Sequence, residues 1–253
     1  MVNWESTFRE IERARPEVAV LPIGSVEQHS HHLPVGTDYL VAQVLGERVA
    51  RELGNCYLLP ALPFSCSREH QGFGGTVWLR PATLAAVVED LVAALGESGI
   101  GKVVLIVAHG GNWIVKPTVR EINLAGKGPR VIYTQPEGFT VGQGEFADLH
   151  AGRAETSLML HLHPGLVKMK RARRDHAPKV GREFLDYVGM KGVSPTGVWG
   201  APSGASAEEG EALLREATRR AVEYIRGTFA ELERAAAGPR RGKRGRRGRP
   251  GEL

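Results

Sequence analysis

The chain alternates between short runs of consecutive apolar residues and longer segments in which apolar residues recur every three or four positions. A continuous apolar run of four to eight residues is typical of a parallel strand that is buried on both faces. Runs of this kind predict strands at residues 18–23, 57–60, 103–108 and 131–133.

The segments with helical spacing lie between and after these strands. They predict one helix from Thr37 or Asp38 to Gly54, one from Thr83 to the glycines at 96–99, one over 113–125, one that begins at Leu158, and a long last helix after Ser206. Ser206 and Glu209 have the spacing of a capping box. Residues 137–150 and 175–205 lack a pattern and predict loops, and loops of that length in a compact domain usually serve a function.

Strands that alternate with helices predict a layered α/β fold with a mostly parallel sheet. A chain of 253 residues can bury the core of one such domain. We therefore expect a single domain over residues 1–237, followed by a tail over residues 238–253.

The composition is that of an ordinary globular protein, with 42% apolar and 24% charged residues. No apolar run reaches the length of a membrane span, and the first residues lack the basic and apolar regions of a signal peptide. These features predict a cytoplasmic protein without a membrane partner. Cys56 and Cys66 have neither a disulfide-framework nor a Cys-x-x-Cys spacing, so we expect core thiols.

The net charge of +5 suggests a nucleic-acid partner until the charge is located. Residues 238–253 contain seven basic residues and one acid, a net +6, so residues 1–237 carry only −1. A Gly/Pro/Arg segment of this kind is expected to be disordered. It could contact nucleic acid weakly through the phosphate backbone, or simply be a solvated tail.

Carboxylates and imidazoles are concentrated in the turn after the strand 18–23. Glu27, His29 and Asp38 stand within twelve residues, together with His31 and His32. Imidazole nitrogen and carboxylate oxygen suit zinc, manganese or iron, and a carboxylate such as Asp38 can bridge two ions. Because open α/β folds place their chemistry at the carboxyl ends of strands, this turn is predicted to form a metal site.

The sequence resembles the creatininase, or creatinine amidohydrolase, family through several motifs in the correct order. Glu-Gln-His-x-x-His-Leu-Pro with Thr-Asp covers residues 27–38, His-Gly-Gly-Asn covers 109–112, and His-Ala-Gly-x-x-Glu-Thr-Ser covers 150–157. Glu69 to Thr76 and Gly204 to Gly210 add to the match. The motifs are closest to the mycofactocin-pathway peptidase-like branch.

This resemblance implies a three-layer α/β/α domain, a centre of two divalent ions (Zn, Mn or Fe), and hydrolysis of a carbon–nitrogen bond in a cyclic amide, formamide or short peptide. It also implies a homo-oligomer, often a hexamer. The metal ligands that it implies are Glu27, His29, Asp38 as the bridge, His109 and Glu155. Creatinine-hydrolysing members place a Glu where this chain has Gly111, so Glu155 supplies the remaining carboxylate; hydrogen bonding to Thr156 or helix capping is its alternative role.

Four further positions and one proton carrier are predicted around this centre. His150 is the candidate general acid/base, because it lies in a Gly-rich approach and its imidazole titrates near neutral pH; a loop histidine bonded to the backbone is the alternative. His70 and Gln71, with Arg68 and Glu69, are the first choice for substrate contacts. Gly110 and Gly111 could offer backbone amides, or serve only the turn after the strand.

Creatinine itself is disfavoured as the substrate. Members that act on it carry aromatic and acidic residues before the fourth motif, whereas this chain has Phe146-Ala147-Asp148-Leu149, with Leu where an acid is expected. The prediction is thus an amidohydrolase with an unassigned substrate. The alternative is a metal-containing or nucleic-acid-associated binding protein that uses its basic tail without catalysis.

Overall fold

A computed structural model describes residues 1–135, 148–173 and 178–236. Within these residues, five parallel strands form one sheet in the order β1-β3-β2-β4-β5. The strands are β1 (Val2–Asn3), β2 (Val18–Ile23), β3 (Cys56–Leu58), β4 (Lys102–Val107) and β5 (Arg130–Thr134).

Seven helices of the described residues connect and cover these strands. They are α1 (Phe8–Ala14), α2 (Thr37–Leu53), α3 (Pro81–Glu97), α4 (Val115–Ala125), α5 (Arg153–Leu162), α6 (Leu185–Val193) and α7 (Ala207–Ala236). Short 3-10 turns intervene, among them one at Arg68–His70.

The two faces of the sheet carry separate apolar layers, because successive side chains of a strand point to opposite faces. Val104 and Ile106 of β4 pack in the cluster that contains residues of α2, α5 and α7. Val103 and Leu105 pack in the cluster with residues of α3 and α4. The predicted three-layer α/β/α fold with a parallel sheet is confirmed.

Helix α1 was not predicted from the sequence, and two further helical segments differ from the prediction. Helix α5 begins at Arg153 and not at Leu158, because the Asp148 carboxylate accepts hydrogen bonds from the backbone N–H groups of Arg153 (2.8 Å) and Ala154 (2.5 Å). A side chain five residues upstream thus caps the helix in a way that apolar spacing does not reveal. The stretch 175–205 is not wholly irregular, since it contains α6, which is interrupted at Gly189 (φ 66°).

The amino end of α7 forms only half of the predicted capping box. The Ser206 hydroxyl accepts the Glu209 N–H (3.2 Å), as expected. The Glu209 carboxylate instead accepts from Arg153 Nε and Ser157 Oγ, both at 2.8 Å. Glu209 therefore ties α7 to the first turn of α5.

Cys56 and Cys66 are both buried and free, as predicted. Within the described residues, no helix combines the length and apolar character that a membrane span requires. Most of the loop 137–150 and the whole tail 238–253 lie outside the described residues, so the domain boundary at residue 237 stays a prediction.

Candidate metal centre

The candidate ligands converge where β2 and β4 end. Glu27 and His29 follow β2, His109 follows β4, and Asp38 stands in the first turn of α2. Gly24 makes this possible, because a Cβ at Gly24 would lie 2.5 Å from Tyr39 Cα. Only glycine lets the end of β2 pack so closely against the start of α2, which places Asp38 beside the strand ends.

Asp38 lies between two imidazoles and presents one oxygen to each. Its Oδ1 is 3.2 Å from His29 Nε2, and its Oδ2 is 3.1 Å from His109 Nδ1. Its side chain is almost fully buried. A carboxylate placed in this way can bridge two cations, as the sequence predicts for Asp38.

Each side of Asp38 has a further carboxylate. On the His109 side, Glu27 Oε2 is 3.1 Å from His109 Nε2. On the His29 side, Glu155 Oε2 is 3.6 Å from His29 Nε2. The potential ligand atoms of Glu27, Asp38 and His109 all lie within 4.8 Å of one another, and those of Glu155, His29 and His150 do so as well.

The tautomers of His29 and His109 suit a metal ion, as assigned from their partners. A carbonyl oxygen can only accept, so the Glu27 carbonyl (3.2 Å from His29 Nδ1) and the Cys66 carbonyl (2.8 Å from His109 Nε2) fix the N–H on those nitrogens. In neutral rings, as a bound ion requires, the other nitrogens, His29 Nε2 and His109 Nδ1, are unprotonated and face Asp38. Without an ion, burial opposes the charge on these rings, but the neighbouring carboxylates raise the pKa of both imidazoles well above its ordinary value. Backbone acceptors behind ligating imidazoles are the usual support of metal sites.

Buried polar atoms of the candidate centre lack hydrogen-bond partners, which favours a bound ion. Among the described residues, Glu27 Oε1, His29 Nε2 and Asp38 Oδ2 are buried without a hydrogen-bond partner. Burying three such atoms is costly unless a further ligand satisfies them. A divalent cation fits this need, because all three atoms can donate an electron pair to it.

Burial and mutual charge control the protonation of these groups. Burial raises the pKa of Glu27. Burial also opposes ionisation of Asp38, but the neighbouring His29 and His109 lower its pKa below the usual value. Burial, assisted by the charge of His29, lowers the pKa of His150 to about 4, so His150 is neutral at pH 7.

The structure brings His150 and His70 into the cluster and leaves Gln71 outside it. His150 Nδ1 is 3.8 Å from Glu27 Oε1, and the His150 ring lies 4.3 Å from the rings of His29 and His70. His70 is buried, with Nε2 3.2 Å from Glu27 Oε1. Gln71 is exposed at the surface. His70 and Gln71 are neighbours in the loop for which substrate contacts are predicted, but His70 lies in the buried cluster and Gln71 lies on the surface.

Glu69 contacts the centre in a way that the sequence did not reveal. Its Oε1 lies 3.4 Å from His109 Nε2, and it fills the space above Gly111 where a Cβ would be. Gly111 thus leaves room for a carboxylate that comes from another loop. Glu69 belongs to a recognised motif, but its contact with His109 depends on how the turn Arg68–His70 packs, which spacing alone does not give.

Gly110, the other glycine of the His-Gly-Gly-Asn motif, has a different environment from Gly111. Gly110 lines the cleft beside the centre, and its carbonyl accepts from Arg182 Nη2 at 3.4 Å. Helix α4 begins only at Val115. The proposed use of the Gly110 and Gly111 amides toward a substrate stays a prediction.

We predict that Gly111→Ala weakens metal binding. The new Cβ would overlap Glu69 Oε1 and His109 Nε2, so the His109 ring must move, and loss of ligand support typically costs about 10–100-fold in metal affinity. Competition with a chelator of known affinity measures the effect. Gly110→Ala is the matched control, because its Cβ would meet only the mobile end of Arg182. Equal affinities of both variants would contradict the prediction.

Hydrogen bonds hold the first turn of α5 against the centre. The Ala151 N–H donates to Glu155 Oε2 at 2.5 Å, and His32 Nε2 lies 2.9 Å from Thr156 Oγ1. Glu155 therefore bonds to the backbone of the preceding turn and not to Thr156. Its carboxylate still faces His29, so the contact with Ala151 orients it without removing it from the centre.

Comparison with known proteins identifies the family of this chain. The family model described as creatinine amidohydrolase matches residues 4–225 of the chain. The chain belongs to the creatininase family. The family resemblance that the sequence motifs indicated is confirmed.

The relatives include two kinds of enzyme. The mycofactocin precursor peptide peptidase of Mycobacterium ulcerans is 31% identical over 83% of this chain and 85% of its own. The creatinine amidohydrolase of Pseudomonas putida is 31% identical over 89% of this chain and 96% of its own. A solved manganese creatininase superposes with a TM-score of 0.78 at 28% identity, covering 90% of this chain and 98% of its own.

Family membership and the ligand groups together establish the reaction class. The protein is a metal-dependent hydrolase of carbon–nitrogen amide bonds. Use of divalent metal is further supported by solved creatininases of a manganese type and a Zn–Zn type. The non-catalytic alternative is not favoured.

Proposed function

We propose that this creatininase-family protein hydrolyses the amide bond of a short peptide or small amide at a centre of two divalent ions. Glu27, Asp38 and His109 would hold one ion, and His29, Asp38 and Glu155 the other. The observation that carries this proposal is the position of Asp38, whose two oxygens face two imidazoles from opposite sides. Zinc, manganese and iron all suit these donors.

The ions and the residues around them would have separate roles in the reaction. When bound, divalent ions lower the pKa of water and polarise a scissile carbonyl. His150, neutral and next to Glu27, would carry a proton to the leaving nitrogen. Burial of Glu27, His29 and Asp38 removes competing water, which strengthens each electrostatic contact in the site.

The cleft beside the centre favours a substrate larger than a single small ring. It has a volume of about 970 Å³ and reaches from Asp38, His150 and Glu155 to α4 and α7. Drug-sized ligands occupy pockets of about 300–1,000 Å³. A short peptide fits such a volume, and the peptidase relatives make this class the first to test.

Charge within the cleft indicates how a peptide would lie. Away from the ligand carboxylates, the basic residues of the described lining are Lys116, Arg120, Arg182 and Arg220, and its one further acid, Asp148, accepts backbone hydrogen bonds at the start of α5. Glu216 pairs with Arg220 at 2.6 Å, which leaves Lys116, Arg120 and Arg182 to attract an anion. A substrate with a free carboxylate, such as the end of a peptide chain, would complement this wall.

A substrate screen of the metal-loaded protein tests the proposal. We expect release of amine from short peptides, at higher kcat/KM when the carboxyl terminus is free than when it is amidated. Formamides and cyclic ureides, including creatinine, are the competing substrates. Hydrolysis of these alone, with no peptide cleaved, would overturn the peptide assignment and leave the metal centre in place.

Three further properties are proposals from the family resemblance and the sequence. We place the enzyme in the cytoplasm and expect a closed homo-oligomer, with a hexamer as the first model. The basic tail is an accessory that contacts nucleic acid weakly. Deleting residues 238–253 should keep metal content and hydrolysis and abolish retention on a nucleic-acid column; loss of hydrolysis would give the tail a catalytic role.

A further inference from the structure

Gln28 lies buried between two histidines of the centre, and its amide orientation is fixed. The Ser30 N–H donates to Gln28 Oε1 at 2.9 Å, so the oxygen of the amide must point to Ser30. Its nitrogen, Nε2, then faces His70 Nδ1 at 2.8 Å and the Gly197 carbonyl at 3.3 Å. The two amide hydrogens have one acceptor each.

The side chain of Gln28 determines which nitrogen of His70 carries the proton. Because Gln28 Nε2 can only donate, His70 Nδ1 must accept. In a neutral imidazole the other nitrogen is then protonated, so the N–H of His70 is on Nε2. That nitrogen is 3.2 Å from Glu27 Oε1. His70 therefore directs an N–H toward a predicted ligand carboxylate.

The main chain of Gln28 places the proton of His150 on Nε2 as well, but in this ring the other nitrogen faces Glu27. The Gln28 carbonyl oxygen is 2.7 Å from His150 Nε2 and can only accept, so Nε2 is protonated. His150 Nδ1 is then unprotonated and faces Glu27 Oε1 at 3.8 Å. Gln28 Nε2 also lies 2.9 Å from His150 Nε2, but a hydrogen bond there would leave the carbonyl facing a lone pair at 2.7 Å.

We propose that Gln28 is a positioning residue that holds His70 and His150 in the same neutral tautomer, with the N–H on Nε2, while the two rings turn opposite nitrogens toward Glu27. Its amide makes His70 direct an N–H toward Glu27 Oε1, and its carbonyl makes His150 present a free Nδ1 to the centre. His70 thus supports a ligand and does not bind the substrate. The role of His150 as a proton carrier rests on the proposed function, whereas the two tautomers do not.

The surrounding loops are built to hold this amide. Ser30, which donates to it, has a left-handed backbone (φ 58°), a conformation that is unfavourable for a non-glycine residue. Gly197 has φ 75°, and a Cβ there would overlap the Gln28 amide. Both loops accept an unfavourable or glycine-only conformation at the point where they contact Gln28.

Nitrogen-15 NMR of the full chain, loaded with Zn²⁺ and labelled only in histidine, reads the tautomers directly. His70→Asn and His150→Asn identify the two signals by difference. We expect wild-type His70 to be protonated at Nε2, and His150 also at Nε2. Gln28→Glu supplies only acceptors, so His70 should become protonated at Nδ1, while His150 stays unchanged because the main-chain carbonyl remains.

A matched substitution controls for the new charge. Gln43 uses its amide oxygen to accept the Ala61 N–H, so Gln43→Glu keeps that bond and should leave both histidines unchanged. Gln28→Glu should also lower zinc affinity by about 10–100-fold in chelator competition.

The wild-type spectrum decides the proposal even if Gln28→Glu does not fold. Protonation of wild-type His70 at Nδ1, or of His150 at Nδ1, would overturn it. An unchanged His70 tautomer in a folded Gln28→Glu protein would overturn it too. None of these results depends on hydrolysis, so failure of the proposed function would be seen separately in the substrate screen.

Discussion

Asp38→Ala is expected to remove both metal ions and nearly all turnover. Asp38 presents an oxygen to each half of the centre, so its loss deprives two ions of a ligand at once. Metal ions contribute several kcal/mol to transition-state stabilisation, and about 1.4 kcal/mol corresponds to tenfold in rate. We therefore expect kcat to fall by at least about 10³-fold, as measured on protein purified with the metal supplied.

Glu155→Ala tests whether Glu155 binds only one ion, in contrast to Asp38, the proposed bridge between two ions. Of the two ligand histidines beside Asp38, Glu155 faces His29, so this variant should keep the ion beside His109 and bind about half of the wild-type metal. Glu47→Gln removes a carboxylate that pairs with Arg51 on the surface and should retain full metal. Full occupancy in Glu155→Ala would remove Glu155 from the ligands, and retention of both ions in Asp38→Ala would exclude a bridge.

His150→Ala is expected to reduce kcat by about 10²–10⁴-fold with metal content intact. That range is typical of a general acid or base. Five other residues are the proposed ligands, and a hydrolytic centre must keep positions open for water and substrate. The change in KM should be smaller than the change in kcat, since proton transfer acts in the transition state. Steady-state kinetics with parallel elemental analysis measures both.

The position of His150 makes the metal measurement decisive. A ring nitrogen of His150 lies within 4.8 Å of ligand atoms of His29 and Glu155, and one also lies within 4.8 Å of those of Glu27 and His70. Loss of an ion in His150→Ala would therefore identify His150 as a ligand. Unchanged turnover would leave it as a structural histidine held by the Gln28 carbonyl.

The layers of the fold could be predicted because they depend on periodic burial. The runs that became β2 and β4 are apolar throughout, and the spacing within α2 and α7 follows one buried face. The start of α5 could not be predicted in this way. Asp148, a carboxylate of the preceding loop, caps it, and no apolar period records a contact between a loop side chain and a helix end.

In the candidate site, contacts within one turn could be predicted from the sequence, whereas contacts between separate loops could not. Glu27, His29 and Asp38 could be grouped from the sequence because one turn carries them all. Glu69 and Gln28 could not be assigned their contacts, since these depend on loops that meet only in the folded chain. The structure places all five predicted ligands around one point, and their roles remain proposals until metal content is measured.

Elemental analysis of the purified full chain, before and after dialysis against a chelator, is the most direct test of a two-ion hydrolytic centre. We expect two divalent ions per chain, loss of amide hydrolysis when they are removed, and recovery when zinc or manganese is returned. A chain that holds no metal and hydrolyses its substrate equally well in the presence of the chelator would contradict the centre.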